Sequence, residues 1–305
     1  MNGERIEWLK LILIAGLAVR MTGKQISSFN PGWILACRVS NSVQNTAMLA
    51  QQKPEFKHGS RWGCIKGSEF LPLVAVMILI LTNSVGAQLR YTTPGTEINE
   101  TFDSLPSVGS VAKWTDNVTL PGWFIVNSTN GTPSRIGISD GAISTGMFYS
   151  FGLSGDPDRA LGGIASGGAY FGNPPSGAVA GYWGVKIVNE SGQTLTNFVV
   201  IYDVEQWRNG GGTGPHSLVC EWSLEATNWF GGTWKFGAST PSPVFGEPAG
   251  AINGNLSSNR TANVRFSSGA IEWKHNQTLW IRFRELNDPG FDHGLAIDNF
   301  RFFAN

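Results

Sequence analysis

From residue 88 onward, apolar residues recur at every second position over short runs, and nowhere hold the three-to-four-residue spacing of a helix for a helical length. In TLTNFVVIYDVEQW, Phe198, Val200, Tyr202 and Val204 share one face of an extended strand, while Val199, Ile201, Asp203, Glu205 and Trp207 share the other. In SLVCEWSLEAT, Leu218, Cys220, Trp222 and Leu224 oppose Val219, Glu221, Ser223 and Glu225. In TLWIRFREL, Leu279, Ile281 and Phe283 oppose Trp280, Arg282 and Arg284. Together with shorter runs bounded by Gly, Pro, Asn and Ser, the pattern predicts strands near 99–104, 122–126, 135–139, 147–152, 182–189, 194–204, 217–227, 233–238, 278–286 and 295–303. Such a succession of short strands predicts an all-β fold, an antiparallel two-sheet β-sandwich of jelly-roll type spanning residues 88–305 as one domain.

The part before residue 88 reads differently. Phe70 to Ala87, FLPLVAVMILILTNSVGA, carries an uncharged apolar core from Leu71 to Leu81, short for a membrane span and suited to the h-region of a signal peptide. Arg61 and Lys66 precede it, and Val85-Gly86-Ala87 offers small residues for cleavage before Gln88. The expected address is therefore secretion or the cell surface, with membrane contact only through this segment if it stays uncleaved. Residues 1–69 read as an N-terminal extension, either disordered or begun upstream of the true start.

Only 14% of residues are charged, and from Gln88 onward 13 Lys and Arg stand against 18 Asp and Glu, a net charge of −5. With no basic run and no phosphate-cradling glycine loop, nucleic acid is not an expected partner. Cys37 and Cys64 lie upstream, so Cys220 alone remains in the domain; its apolar period-two neighbours make it a small core residue, and no disulfide framework is expected.

Several phrases occur in order along the domain: ETFDSLP (100–106), WTDNVTLPGW (114–123), SFGLSGDPDRALG (150–162), EQWRNGG (205–211), NGNLSSNRT (253–261) and NDPGFDHGLAIDNF (287–300). In these the chain resembles a family of exported bacterial β-sandwich domains of unassigned biochemical function, found in secreted or surface proteins that carry sorting signals. The closing AIDNF phrase gives a looser likeness to concanavalin-like and MAM-type sandwiches. The resemblance implies a non-catalytic jelly-roll module and transfers no activity. For an exported module of this kind adhesion, matrix or carbohydrate contact is expected, with a glycan-active hydrolase using Asp203 and Glu205 or a purely structural surface protein as alternatives.

The stretch DVEQWRNG concentrates candidate chemistry. Asp203 and Glu205, two residues apart on one strand face, stand about 6.5 Å apart at the backbone, within reach of the carboxyl separation of a glycosidase pair. Laminarinase-type sandwiches, however, carry E-x-D-x-x-E, whereas here the order is D-x-E with Arg208 at the third acid's place. Ion pairs of these acids with Arg208, Arg282 or Arg284 form a second reading. A third makes Trp207 and Trp280 plates for a sugar ring, with Asp203, Glu205, Arg282 and Arg284 bonding the hydroxyls of a polysaccharide or surface glycan. Asp103, Asn287, Asp288, Asp292 and Asp298 supply oxygen donors for one structural Ca²⁺ clamping the ends of the domain. His216, His275 and His293 show no zinc-ligand spacing, and no G-x-S-x-G elbow accompanies His293.

Overall fold

In the computed structural model, residues 88–305 are described; the expectations for 1–69 and for the signal segment 70–87 lie outside the described residues. Fifteen strands form two sheets. The first contains β1 (Leu89–Tyr91), β4 (Trp123–Asn127), β8 (Val179–Asn189), β10 (Ser217–Ser223), β11 (Lys235–Pro241) and β14 (Thr278–Leu286), in the order β1-β8-β14-β10-β11 with β4 also on β8. The second contains β2 (Ile98–Glu100), β3 (Val111–Lys113), β5 (Arg135–Ser139), β6 (Met147–Phe151), β7 (Ala160–Ile164), β9 (Phe198–Asn209), β12 (Gly250–Ala251), β13 (Arg260–Ser267) and β15 (Gly294–Ala304). Its order is β12-β9-β15-β7-β6-β5-β3, with β13 also on β9 and β2 also on β15. The fold is a β-sandwich of jelly-roll type. Two pairings, β1–β8 and β5–β6, are parallel, unlike the antiparallel arrangement expected, because side-chain alternation carries no information on strand direction. Among the described residues no helix is long and apolar enough to cross a membrane.

The alternation seen in the sequence decides what lies between the sheets. Trp183, Val185 and Ile187 of β8 and Leu279, Ile281 and Phe283 of β14 face Phe198, Val200, Tyr202 and Val204 of β9 across one apolar core. Tyr202 meets Phe283 edge-on at 5.0 Å and Trp123 meets Phe300 at 5.2 Å, contacts that add about 0.5–1.5 kcal/mol each beyond the area they bury. Cys220 is buried in this core as a free thiol.

The second sheet is also covered on its outer face. Met147, Tyr149, Phe151, Ala160, Ile164, Trp207 and Ala296 form a second buried layer, in which Trp207 and Phe151 lie 6.3 Å apart and 2° from parallel. Gly254 seals it: a Cβ there would stand 2.5 Å from the Trp207 ring.

Strand β7, ALGGI, is not among the strands expected, since it runs into the glycine-rich stretch that begins at Gly162. Its glycines answer to close packing, since a Cβ on Gly162 would stand 2.0 Å from the Leu295 carbonyl oxygen on β15. Strand β13 is mostly exposed and is not among the strands expected, although Ala262, Val264 and Phe266 alternate along it and Phe266 reaches the core. β10 ends at Ser223, earlier than expected, where the Ser223 hydroxyl accepts the Glu225 amide at 2.9 Å and turns the chain.

Candidate functional site

Asp203, Glu205 and Trp207 do share the outer face of β9, but that face is closed: Glu205 is 1% and Trp207 0% exposed. The Trp207 indole N–H donates to Glu205 Oε2 at 2.9 Å. Asp203 accepts the Asn263 amide at 2.7 Å and the Asn299 side-chain N–H at 3.2 Å. Their cationic neighbour is Arg260 of β13, whose Nη1 stands 3.8 Å from Asp203 and 4.0 Å from Glu205. The partners expected from sequence are elsewhere. Arg208 donates to the carbonyls of Gly141 and Ala142, while Arg282 and Arg284 belong to the other sheet.

Glu205 Oε1 has no hydrogen-bond partner, and burial pushes this carboxyl up to about 7, opposed by the Trp207 hydrogen bond. Asp298, opposite Asp203 in the β15–β9 register, is pushed up to about 8, first by burial and then by the Glu205 charge. Hydrolysis by two carboxylates needs both acids open to a sugar lying between them. Here one is sealed beneath a tryptophan, and that tryptophan is packed against Phe151 rather than free to stack on a ligand. The expected ligand contact through Asp203, Glu205 and Trp207 is therefore corrected, and the alternative of a hydrolase using Asp203 and Glu205 finds no open face here.

Trp280, Arg282 and Arg284 meet a different fate on the outer face of the first sheet. Register places Trp280 between Lys186 and Ser223, Arg282 between Gly184 and Glu221, and Arg284 between Tyr182 and Val219. Here the arginine-bearing strand β14 adjoins the acid-bearing strand β10: Arg282 Nη2 lies 2.7 Å and its Nε 2.8 Å from Glu221 Oε2. Arg282 also donates to the Trp229 carbonyl, and its guanidinium lies 4.0 Å from the Tyr182 ring centroid and 3.7 Å from that of Trp234. Such charge-assisted and stacked contacts fix the plane of the guanidinium.

The glycine-rich loop 224–234 folds back over this face. Gly184 makes room for it, since a Cβ there would stand 2.7 Å from Trp229. Trp229 packs edge-on to Trp280 at 5.0 Å, and Lys186 Nζ sits 3.8 Å above Trp280 and 4.3 Å from Phe124. Phe124, Trp234 and Trp280 remain partly exposed, and Phe230 is 38% exposed. A groove of about 320 Å³ opens beside the loop, bordered by Trp222, Glu225, Lys235, Glu272, Lys274 and Gln277. The contributions of Phe124, Lys186, Trp229 and Trp234 are not among the residues expected from sequence. Two tryptophans and a phenylalanine in the loop NWFGGTW were the available signal, being large aromatics where turn residues prevail.

The five oxygen donors expected for one calcium ion are not assembled. Asp103 is exposed and accepts the Arg159 amide at 3.3 Å, the Asn287 side-chain N–H donates to the Pro174 carbonyl at 3.0 Å, and Asp298 faces Asp203 and Asn299. Asp288 and Asp292, in the loop between β14 and β15, instead meet His216 at the start of β10, which lies far away in sequence and at no recognisable ligand spacing. Among the described residues these three are the only group of His, Cys, Asp or Glu whose donor atoms all lie within 4.8 Å of one another.

No family model matches the chain, and no curated protein matches it. Among solved structures, the K3 cleaved adhesin domain of Lys-gingipain from Porphyromonas gingivalis overlaps 68% of this chain and 99% of its own at 12% identity and a TM-score of 0.33. A carbohydrate-binding module specific for non-crystalline cellulose, CBM28, overlaps 65% of this chain and 99% of its own at 12% identity and a TM-score of 0.33. The CBM22-1 and GH10 modules of the Clostridium thermocellum endo-1,4-beta-D-xylanase 10B overlap 68% of this chain at 12% identity and a TM-score of 0.32, and this chain spans 28% of that one. With TM-scores this low, the chemistry of the present chain is drawn from its own residues.

Proposed function

We propose that this chain is an exported, non-catalytic β-sandwich module that contacts a polysaccharide or surface glycan through the outer face of its first sheet. The observation that carries the reading is the cluster of partly exposed rings, Phe124, Trp234 and Trp280 with Phe230 at the rim, interleaved with Lys186, Arg282 and Glu221. Pyranose rings offer apolar C–H faces to aromatic plates and hydroxyls to charged groups beside them, and this face presents both. Rigidity supports the same reading, because Arg282 is held by Glu221 and Trp229 and the loop is seated on Gly184. Little ordering would be required on binding. Export is part of the proposal and rests on the apolar segment 70–87 and the small residues before Gln88; N-terminal sequencing of the native protein tests it, with Gln88 as the expected first residue.

Affinity electrophoresis through gels containing a panel of soluble β-glucans, xylans, mannans and acidic polysaccharides tests the binding. Retardation in at least one gel, relieved in Trp234→Ala, is expected. Unchanged mobility in every gel would sink the glycan reading.

A further inference from the structure

The cluster around His216 has the makings of a metal site of a kind the sequence did not suggest. His216 Nδ1 lies 3.1 Å from Asp288 Oδ2, close to the spacing of two adjacent ligands on one small ion. Asp292 completes the set, held in place by the Asp288 amide, which donates to its Oδ1 at 2.8 Å. These side chains border a cavity of about 20 Å³, room for one water molecule beside an ion seated among the three donor atoms, together with Arg284, Glu285 and His293.

A buried polar atom without a partner belongs to a residue that borders the same cavity. His293 is 2% exposed, its Nδ1 accepts the Gly210 amide at 2.8 Å, and its Nε2 has no hydrogen-bond partner. Because Nδ1 is the acceptor, a neutral ring carries its proton on Nε2, leaving a buried donor without an acceptor. Burial holds this imidazole below its ordinary value, toward the neutral ring, although the Gly214 backbone beside it favours the proton without making a hydrogen bond of acceptable geometry.

We propose that His216, Asp288 and Asp292 bind a divalent transition-metal ion of the zinc class, with the His293 Nε2–H donating to a water molecule in the ion's open position. One imidazole nitrogen and two carboxylates suit Zn²⁺ or Co²⁺, whereas Ca²⁺ takes oxygen donors in larger number. In binding, the His216 lone pair gives up the weak 3.3 Å hydrogen bond it accepts from the His293 amide. The ion would tie the start of β10 to the β14–β15 loop, and this site is independent of the glycan face.

The test is titration of the tag-free full chain, stripped with a chelator, with Co²⁺ and Zn²⁺ by visible absorption and calorimetry. One equivalent of Co²⁺ bound with d–d absorption, displaced by Zn²⁺ and unaffected by millimolar Ca²⁺, is expected. His216→Gln and Asp292→Asn should each weaken binding about tenfold or more, and His293→Ala about tenfold. His275→Ala should leave it unchanged. Thermal unfolding in chelator separates misfolded variants from folded ones that have lost the ion. No stoichiometric binding would overturn the proposal, as would binding that survives both His216→Gln and Asp292→Asn in folded protein.

Discussion

Substituting Glu205 by Gln isolates the effect of placing a carboxyl group beneath a tryptophan. In the folded state this carboxyl is raised from 4.5 to about 7, mainly by burial, with the Trp207 hydrogen bond and Arg260 opposing and Asp158 and Asp203 adding to the rise. Between these values the folded protein keeps a proton that the unfolded chain releases, so the group's contribution to stability is fully present below pH 4.5 and lost as pH rises through about 7. A gap of that size corresponds to about 3 kcal/mol. Asp298, raised from 3.8 to about 8 by burial first and then by the Glu205 charge, acts in the same direction. Urea unfolding of wild type and Glu205→Gln at pH 5 and pH 8.5 measures the effect. The variant should be close to wild type at pH 5 and more stable by about 3 kcal/mol at pH 8.5, with Asp298→Asn flattening the profile further. A Glu205→Gln difference that does not change between the two pH values, or that shrinks toward high pH, would refute the account of a buried acid held neutral.

Two further perturbations probe the covered face of the second sheet. Trp207→Ala opens a cavity beside Phe151 and leaves Glu205 Oε2 without its donor; a loss of about 3–5 kcal/mol in denaturant unfolding is expected, and a loss under 1 kcal/mol would mean the residue is not packed as described. Gly162→Ala drives a methyl group to 2.0 Å from the Leu295 carbonyl and should cost about 1–3 kcal/mol or more, read as a lowered melting temperature; an unchanged melting temperature would contradict the close approach of β7 to β15.

The sequence was most informative where a strand is long and its two faces differ in kind. The alternations in β9, β10 and β14 placed the core residues correctly, and β5 and β14 have the boundaries expected. What alternation does not state is what covers the other face. Asp203, Glu205 and Trp207 point outward as expected, yet Phe151, Gly254 and Arg260, all distant in sequence, close over them. Trp280 obeys the same rule on the other sheet and remains partly exposed, while Arg282 beside it is buried against Trp229 and Trp234. The difference lies in neighbours supplied by strand order, which a local pattern does not contain. His216 with Asp288 and Asp292 makes the same point for a candidate metal centre, since the donors come from a strand start and a loop that meet only after the sheet has formed.

We propose that the aromatic face of the first sheet holds a glycan. Calorimetric titration of wild type and Trp280→Ala with whichever polysaccharide retards the protein in gels tests it most directly. Trp280 is only partly buried, so the variant should remain folded while its affinity falls about tenfold or more, in keeping with the share of binding energy carried by single aromatic anchors. Undiminished binding by a folded Trp280→Ala protein would contradict the claim and move the glycan site elsewhere.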